Sequence, residues 1–576
     1  MDDHHHLINL TGNDLTIENV INIAENGYKV DFPEEVKEKI KRARKLLDHI
    51  LLKYPEIKIY GANRLHGDLK KVNVVGKKIK YQGEDRDILE VYQEKYINVH
   101  NCGTGKPLSI EEVRAIMVIR LNSFAKGDSA MTWETVEFLI KLLNKGVTPV
   151  VLEEGSVGAS GDLIPLAMVA ATMIALPKAE AFYGNERMSA KQALEKAGLK
   201  PVILKAKEAM GLTNGSNFIA ALSVFAIRDT ENLLKNVSIS ASLSLEAIRG
   251  EKDAFSETIN DKNRKHIGQV KIAGHIRKLI EKSNRMSLKA QIAPFTRDEP
   301  WDVRVQDRYS FRAIPQVHGV TYEALQKLKE TIYIEINSAT DNPLFEEIPI
   351  KDFKKYVTDS TYQKLLNDEK LPNRNGEKFI LKAYSGANFH GQSLATVIDY
   401  LKIAITSLAL ITDKRTYSLL DDSQSYGLPA DLAVDTSNAD GGLMIAQYAG
   451  AARVAECRVL STPASVTSVA TSANQEDFVS MGSIGALHLK KIIYNTQLVT
   501  AIEMLCAMRG IEMTQKDLSS DLRKLGTGTQ KVYDFLIMEK RFDEYKSDMY
   551  LKVEMDKMFE FVKNNDILNV VSELLD

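Results

Sequence analysis

The residues that could do chemistry gather in short polar, glycine-rich stretches set between apolar runs. The densest is Gly155-Ser-Val-Gly-Ala-Ser-Gly-Asp-Leu-Ile-Pro-Leu166, in which seven of twelve residues are Gly, Ser, Ala or Asp. Small side chains let a backbone fold closely on itself. Taken alone, the stretch predicts a tight turn, with Ser160 or Asp162 capping the apolar helix that follows. Several common catalytic signatures are missing from the sequence. It has no Gly-x-x-x-x-Gly-Lys phosphate loop, no His-Glu-x-x-His zinc helix and no Gly-x-Ser-x-Gly elbow. Cys102, Cys457 and Cys506 are too few for a disulfide framework or an all-cysteine zinc site, which points to a reducing compartment. His4–His6 read as a frayed terminus, and no metal centre is expected.

The elements that must position these stretches are mostly helices. A chain of 576 residues exceeds one compact core, and a prior of roughly 100–200 residues per domain suggests about three units. Hydrophobic residues make up 44% and charged residues 26%, an ordered globular balance. With 75 basic against 77 acidic residues, the net charge of −2 argues against a nucleic-acid partner. Ser109-Ile-Glu-Glu112 is a capping box, followed at helical spacing by Val113, Ile116, Met117 and Leu121. A second helix carries Val136, Leu139, Ile140 and Leu143, with Gly146 placed to end it.

Long helical patterns run from Phe218 to Arg249, Val320 to Ile336, Phe389 to Thr412 and Ser480 to Arg509. Runs such as Ile403 to Ile411 are apolar nearly all round, so they must be buried in a bundle or against another subunit. The fold expected is mainly α, a long central helical bundle with a smaller mixed N-terminal domain. Its expected divisions are 1–200 (the mixed domain), 201–510 (the bundle, with a charged surface insertion near 345–380) and 511–576 (a helical tail). Residues 60–110 read as short strands and loops. Their Lys70, Lys71, Lys77, Lys78 and Lys80 read as a solvated hairpin face balanced by Glu84, Asp85 and Asp87. The acidic, polar start lacks an apolar signal segment. Leu163 to Leu176 contains Pro165 and Thr172 and falls short of the ~20 residues of a membrane helix. No membrane association and a cytoplasmic location are therefore expected.

The polar stretches also share an order along the chain. Gly155-Ser-Val-Gly-Ala-Ser-Gly-Asp-Leu-x-Pro-Leu-Ala resembles the signature of the aromatic amino acid lyase family, the ammonia-lyases and 2,3-aminomutases of histidine, phenylalanine and tyrosine. Further stretches match in the family's order. They are Tyr60-Gly61-x-Asn63, Arg120-Leu-Asn-Ser-x-Ala-x-Gly127, Gly211-Leu-x-Asn-Gly215, Gln306-Asp-x-Tyr309-Ser-x-Arg312 and Pro315-Gln-Val-His-Gly319. Asp341-Asn-Pro-Leu344, Ser385-Gly-x-Asn388-Phe-His-Gly391 and Asn474-Gln-Glu-Asp477 complete the set.

The resemblance implies that Ala159-Ser160-Gly161 closes by itself into 4-methylideneimidazole-5-one (MIO), with no external cofactor. The Gly161 amide nitrogen would attack the Ala159 carbonyl carbon. Loss of water from the ring and from the Ser160 side chain would then leave an exocyclic methylidene. That carbon is an electrophile no side chain supplies, and it would make the substrate amine a better leaving group. The resemblance implies Tyr60 as the base for the β-proton, which requires a pKa well below the usual ~10. It further implies Arg312 on the substrate carboxylate, for which a guanidinium fork suits. Asn214 and Asn388 would lie near the ring and the carboxylate, Gln306 and Tyr309 would orient the substrate, and Phe389 would form a pocket wall. A homotetramer with shared active sites is also implied.

Two positions bear on the substrate. Val99-His100 falls where the family's specificity pair lies, and histidine at the second member resembles the histidine enzymes. Glu476 matches their acidic form and could accept an imidazole N–H. Some residues depart from the family's pattern. The usual Tyr-Gly-x-Asn-Thr-Gly-Phe-Gly reads Tyr60-Gly-Ala-Asn-Arg64-Leu65-His66-Gly67 here, Phe478 stands where histidine lyases usually have histidine, and Val99 replaces a small polar residue. The reading is an MIO-dependent ammonia-lyase taking L-histidine to urocanate. The alternatives are a lyase for another amino acid or a 2,3-aminomutase, toward which the stiffer Leu65 loop points.

Overall fold

The computed structural model describes residues 6–74, 76–158, 160–293, 304–353, 364–374, 376–539 and 541–575. Ala159, one of the expected ring residues, and His4 and His5 lie outside them. The chain forms two compact units, each drawn from three segments. The first comprises Met1–Phe225, Lys329–Ile398 and Pro463–Leu487, and the second Ala226–Leu328, Asp399–Thr462 and His488–Asp576. The architecture is mainly α, with long helices at Asn217–Ile248, Ile314–Ile336, Gln392–Leu420 and Gly482–Gln515.

In the first unit the helix Ile110–Ala125 starts at the expected capping box, with Ser109 Oγ accepting from the Glu112 N–H. Every residue from Glu112 to Ala125 is buried. Such a helix needs partners for its polar side chains. Arg114 finds them in the carbonyls of Ile23, Ala24 and Leu143. The apolar run after the glycine-rich stretch forms the helix Leu163–Met173, buried from Pro165 onward. The lysine-rich segment is the expected hairpin, Lys78–Tyr81 against Glu84–Asp87. Its register sets Lys78 opposite Asp87 and Lys80 opposite Asp85, so opposite charges face across the strands.

Two readings of the chain need correction. Residues 88–100 are not strand or loop. They form the helix Ile88–His100, whose N-terminus is capped by the Asp87 side chain. The stretch taken as a surface insertion pairs Leu344–Pro349 with Glu377–Tyr384. Its Phe345, Ile348, Ile380 and Leu381 pack against Leu46, Leu47 and Ile50 of the helix Glu34–Lys53. Charged residues alternate with these apolar ones and mask a buried sheet face.

The second unit is centred on a buried ion pair. Arg415 Nε and Glu503 Oε1 are 2.5 Å apart, and both side chains are fully buried. A second guanidinium contact, Nη2 to Oε2, measures 2.9 Å, and Ser244 Oγ donates to Oε1 at 2.7 Å. Ser244, Arg415 and Glu503 come from three of the long helices, so one bidentate pair fixes the register of all three. Gln392–Leu420 is the one helix among the described residues long and apolar enough to cross a membrane, and 67% of its most apolar stretch is buried.

Candidate active site

The glycine-rich stretch is held from both sides within the first unit. Asp162 is buried and takes four donors. Ser156 Oγ and Ser483 Oγ reach Oδ1 at 2.9 and 2.8 Å. The backbone N–H groups of Phe218 and Ile219 reach Oδ2 at 3.0 Å each. Asp162 makes no side-chain cap on the helix that follows it, so the expected local cap is corrected. It instead satisfies free N–H groups in the first turn of Asn217–Ile248, where a negative charge is favoured. Burial nevertheless pushes its carboxyl up to about 6, against the four donors that pull it down.

Next to it, Gly161 runs alongside Gly215, and the Asp162 N–H donates to the Gly215 carbonyl at 2.7 Å. Gly161 has φ +74°, and a Cβ there would come within 2.3 Å of the Gly215 nitrogen and oxygen. Only glycine fits a left-handed backbone at that approach. The Gly158 carbonyl accepts from Ser480 Oγ at 2.8 Å, and the Val157 carbonyl accepts from the Met481 N–H at 2.9 Å. The segment around Ser160 and Gly161 is thus compressed, anchored and free of a Cβ on the residue whose nitrogen would attack. These features fit a ring closed from residues 159–161.

A cavity of about 510 Å³ opens over this loop, lined in part by Tyr60, His66, His100, Ser160, Asn214, Phe389 and Glu476. Glu476 Oε1 accepts from Ser160 Oγ at 2.5 Å, and Oε2 accepts from Thr471 Oγ1 at 2.8 Å. Glu476 is set by a turn in which Ser472, Ala473 and Asn474 all have positive φ, between +50° and +63°. Three successive non-glycine residues in that region store strain, which tends to gather where a side chain must be aimed.

Tyr60 Oη accepts from the Gly67 N–H at 2.8 Å, the contact that favours the phenolate. Burial outweighs it, and Glu476 adds to the effect, so the phenol stays above its usual range. The lowering that a base at neutral pH requires is not supplied by the groups around Tyr60 in this unit. The His100 ring stacks on Tyr96 with centroids 4.0 Å apart, and its Nδ1–H donates to the Tyr96 carbonyl at 2.7 Å. Burial holds His100 below the usual histidine range.

Not every expected residue joins this cavity. Asn388 is exposed and donates through Nδ2 to the Ala339 carbonyl at 3.3 Å, while its neighbours Ala387 and Phe389 line the wall. Gln306, Tyr309 and Arg312 belong to the second unit and line a separate cavity of about 460 Å³. There the Arg312 guanidinium lies over the Tyr309 ring at 4.5 Å, its Nε is buried without a partner among the described residues, and Tyr309 is 73% exposed. The sequence reading missed Asp162 as the anchor of two segments, Thr471 as the support of Glu476, and Tyr96 beneath His100. Only the polar flanks of Asp162 and Thr471 signalled them. His66 it noted as a change in a loop, not as a wall of the cavity.

A mainly α chain whose cavity floor is a tightly closed Ser-Gly loop, faced by a tyrosine and a carboxylate, has the make-up of an amino-acid lyase. A family model described as aromatic amino acid lyase matches residues 15–537. Histidine ammonia-lyase 2 of Fusobacterium nucleatum is 38% identical over 569 residues, 99% of each chain. Among solved structures, the tyrosine aminomutase from Streptomyces globisporus superposes with a TM-score of 0.81 at 28% identity, covering 98% of both chains. The histidine ammonia-lyase from Trypanosoma cruzi superposes with a TM-score of 0.78 at 27% identity, covering 99% of this chain and 95% of that one. The chain belongs to the aromatic amino acid lyase family. The ammonia-lyase class expected from its motifs stands, and enzymes of this family generally depend on MIO.

Proposed function

We propose that this protein eliminates ammonia from L-histidine to give urocanate, using MIO formed from Ala159, Ser160 and Gly161. The observation that carries the reading is the single cavity in which Tyr60, His100, Asn214 and Glu476 surround Ser160. The group supplies an electron-poor methylidene carbon, which assists departure of the amine. Tyr60 acts as phenolate, whose charge the Gly67 N–H stabilises, and takes the β-proton at its oxygen to become the neutral phenol. Asn214, buried at the cavity floor, orients the ring. Glu476 and His100 face the substrate side chain, where a carboxylate and an imidazole nitrogen suit a polar azole better than a phenyl ring. Phe389 closes the wall.

Arg312, Gln306 and Tyr309 hold the substrate carboxylate and amine, and Asn388 supports the carboxylate end. An exposed tyrosine beside a half-buried arginine whose Nε has no partner among the described residues suits this role if the pair comes from a second copy of the chain. A homotetramer with shared sites follows, and the outward stripe of Tyr400, Ile403 and Tyr417 suits burial between subunits. The location proposed is cytoplasmic.

The test is to incubate the purified enzyme with L-histidine, L-phenylalanine and L-tyrosine and to measure ammonia and products. Histidine-dependent ammonia with urocanate is expected. A β-amino acid product would favour the aminomutase instead. Ammonia from phenylalanine or tyrosine alone would overturn the substrate.

A further inference from the structure

His66 lies in the cavity wall beside His100, with ring centroids 5.2 Å apart and planes at 63°. Two aromatic contacts and a hydrogen bond hold it. Its ring stacks on Tyr92 at 6.0 Å, meets Tyr96 edge-on at 4.6 Å, and places Nδ1 3.0 Å from the Tyr92 hydroxyl. The tautomers follow from the partners. His100 Nδ1 faces a carbonyl, which only accepts, so Nδ1 carries the proton and Nε2 carries a lone pair. His66 Nδ1 faces a phenol. A phenol O–H is the stronger donor and an imidazole nitrogen the stronger acceptor, so Tyr92 donates and the proton of His66 sits on Nε2. Burial and the neighbouring His100 hold His66 down to about 4, so the ring is neutral at physiological pH. Neither Nε2 has a hydrogen-bond partner among the described residues.

We propose that His66 is a specificity-determining residue. With His100 it offers the substrate side chain one N–H donor and one nitrogen lone pair, the complement of a neutral azole ring with one acceptor and one N–H. A phenyl ring would leave both groups unpaired in a half-buried wall, and a site built to hydrogen-bond rejects a substrate that cannot reciprocate. The proposal rests on the ammonia-lyase reading and deepens it. Glu476 shares the cavity but only accepts when ionised, so it duplicates the role of His100 and leaves His66 as the donor.

The experiment compares wild type, His66→Phe and His66→Gln on L-histidine and L-phenylalanine, with melting temperature and intact mass measured alongside. For His66→Phe, KM for histidine should rise about tenfold or more with a smaller change in kcat. Its preference for histidine over phenylalanine should fall about tenfold to a hundredfold. His66→Gln keeps an N–H donor and should recover most of the KM. Unchanged KM and preference in His66→Phe, with wild type active on histidine, would overturn the role of His66 and leave the lyase reading intact. An equal loss in both variants would also overturn it, since packing rather than donation would then be responsible. Wild type releasing ammonia from phenylalanine alone would overturn azole recognition, and no ammonia from any amino acid would overturn the lyase reading with it. If His66→Phe does not fold, His66→Asn against His66→Leu makes the same comparison of donor with non-donor.

Discussion

Replacing Asp162 separates the two things its carboxylate does. It supplies an acceptor to two backbone N–H groups that cannot turn away, Phe218 and Ile219, and it carries a charge into the interior. Burial lifts its pKa from 3.8 to about 6. At ~1.4 kcal/mol per unit, ionising it at pH 7 costs the fold about 3 kcal/mol. Asp162→Asn removes the charge and keeps an oxygen toward the two N–H groups. Its amide NH₂ would then meet Ser156 and Ser483, whose hydroxyls can rotate to accept. Asp162→Ala leaves both N–H groups buried without an acceptor, at about 1–3 kcal/mol each. The alanine variant should therefore be about 2–6 kcal/mol less stable than the asparagine variant, and the asparagine variant no less stable than wild type at pH 7.

The pH dependence has a definite sign. A carboxyl whose folded pKa is raised contributes stability that is full below its unfolded value and is lost as pH rises through about 6. The asparagine advantage should therefore be largest at pH 7 and fade toward pH 4. Denaturation of the three proteins at pH 7 and pH 4.5, with the mass of the peptide spanning residues 155–166 as the report on ring closure, measures both effects. Equal stability of the alanine and asparagine variants would refute the backbone-acceptor argument. An asparagine advantage that stays constant or grows on acidification would refute the charge argument.

Other consequences are checked more simply. Gly161→Ala places a Cβ 2.3 Å from the Gly215 backbone at φ +74°. Beyond ~1–2 kcal/mol of left-handed strain, it should separate the two segments and abolish the two-water mass deficit, while a matured variant would count against the close approach. Burial lowers His66 from 6.5 to about 4, so its contribution to stability is full above pH 6.5 and is lost as pH falls through about 4. His66→Phe should soften the loss of melting temperature between pH 7 and pH 4, and an identical acid profile would contradict that shift. In the second unit, Arg415→Met leaves Glu503 buried without its bidentate partner and should cost about 3–5 kcal/mol. Adding Glu503→Leu should restore part of that stability, and a further loss would show that the pair is not the organising contact.

The sequence was most informative where local signals and periodicity agreed. The capping box at Ser109 and Glu112 formed as read, and the long helix read from Phe218 to Arg249 runs Asn217–Ile248. Pro315, read as part of a polar stretch, lies in the first turn of Ile314–Ile336, where its missing N–H is not needed. The helix Ile88–His100 was hidden by its own composition. Val91, Tyr92, Tyr96, Ile97 and Val99 favour strands, and tertiary packing overrode that preference. The sheet around Leu344–Pro349 was hidden because charges fill its wet face.

A reading along the chain divides it into contiguous stretches, whereas each compact unit is woven from three returning segments. The same limit applies to the candidate site. Tyr60, Ser160, Gly161, Asn214 and Glu476 could be picked out as residue types in order, since each sits in a distinctive stretch. The partners that aim them could not. Asp162 reaches the start of a helix 56 residues away, and the pairing of His66 with His100 depends on a helix the local sequence did not announce.

The most direct test of the account is the mass of a peptide spanning residues 155–166 from protein matured and purified without denaturation. A mass two waters below that encoded by the sequence, with the loss confined to residues 159–161, is the predicted result. A peptide of full encoded mass, from protein that nevertheless releases ammonia from histidine, would contradict it.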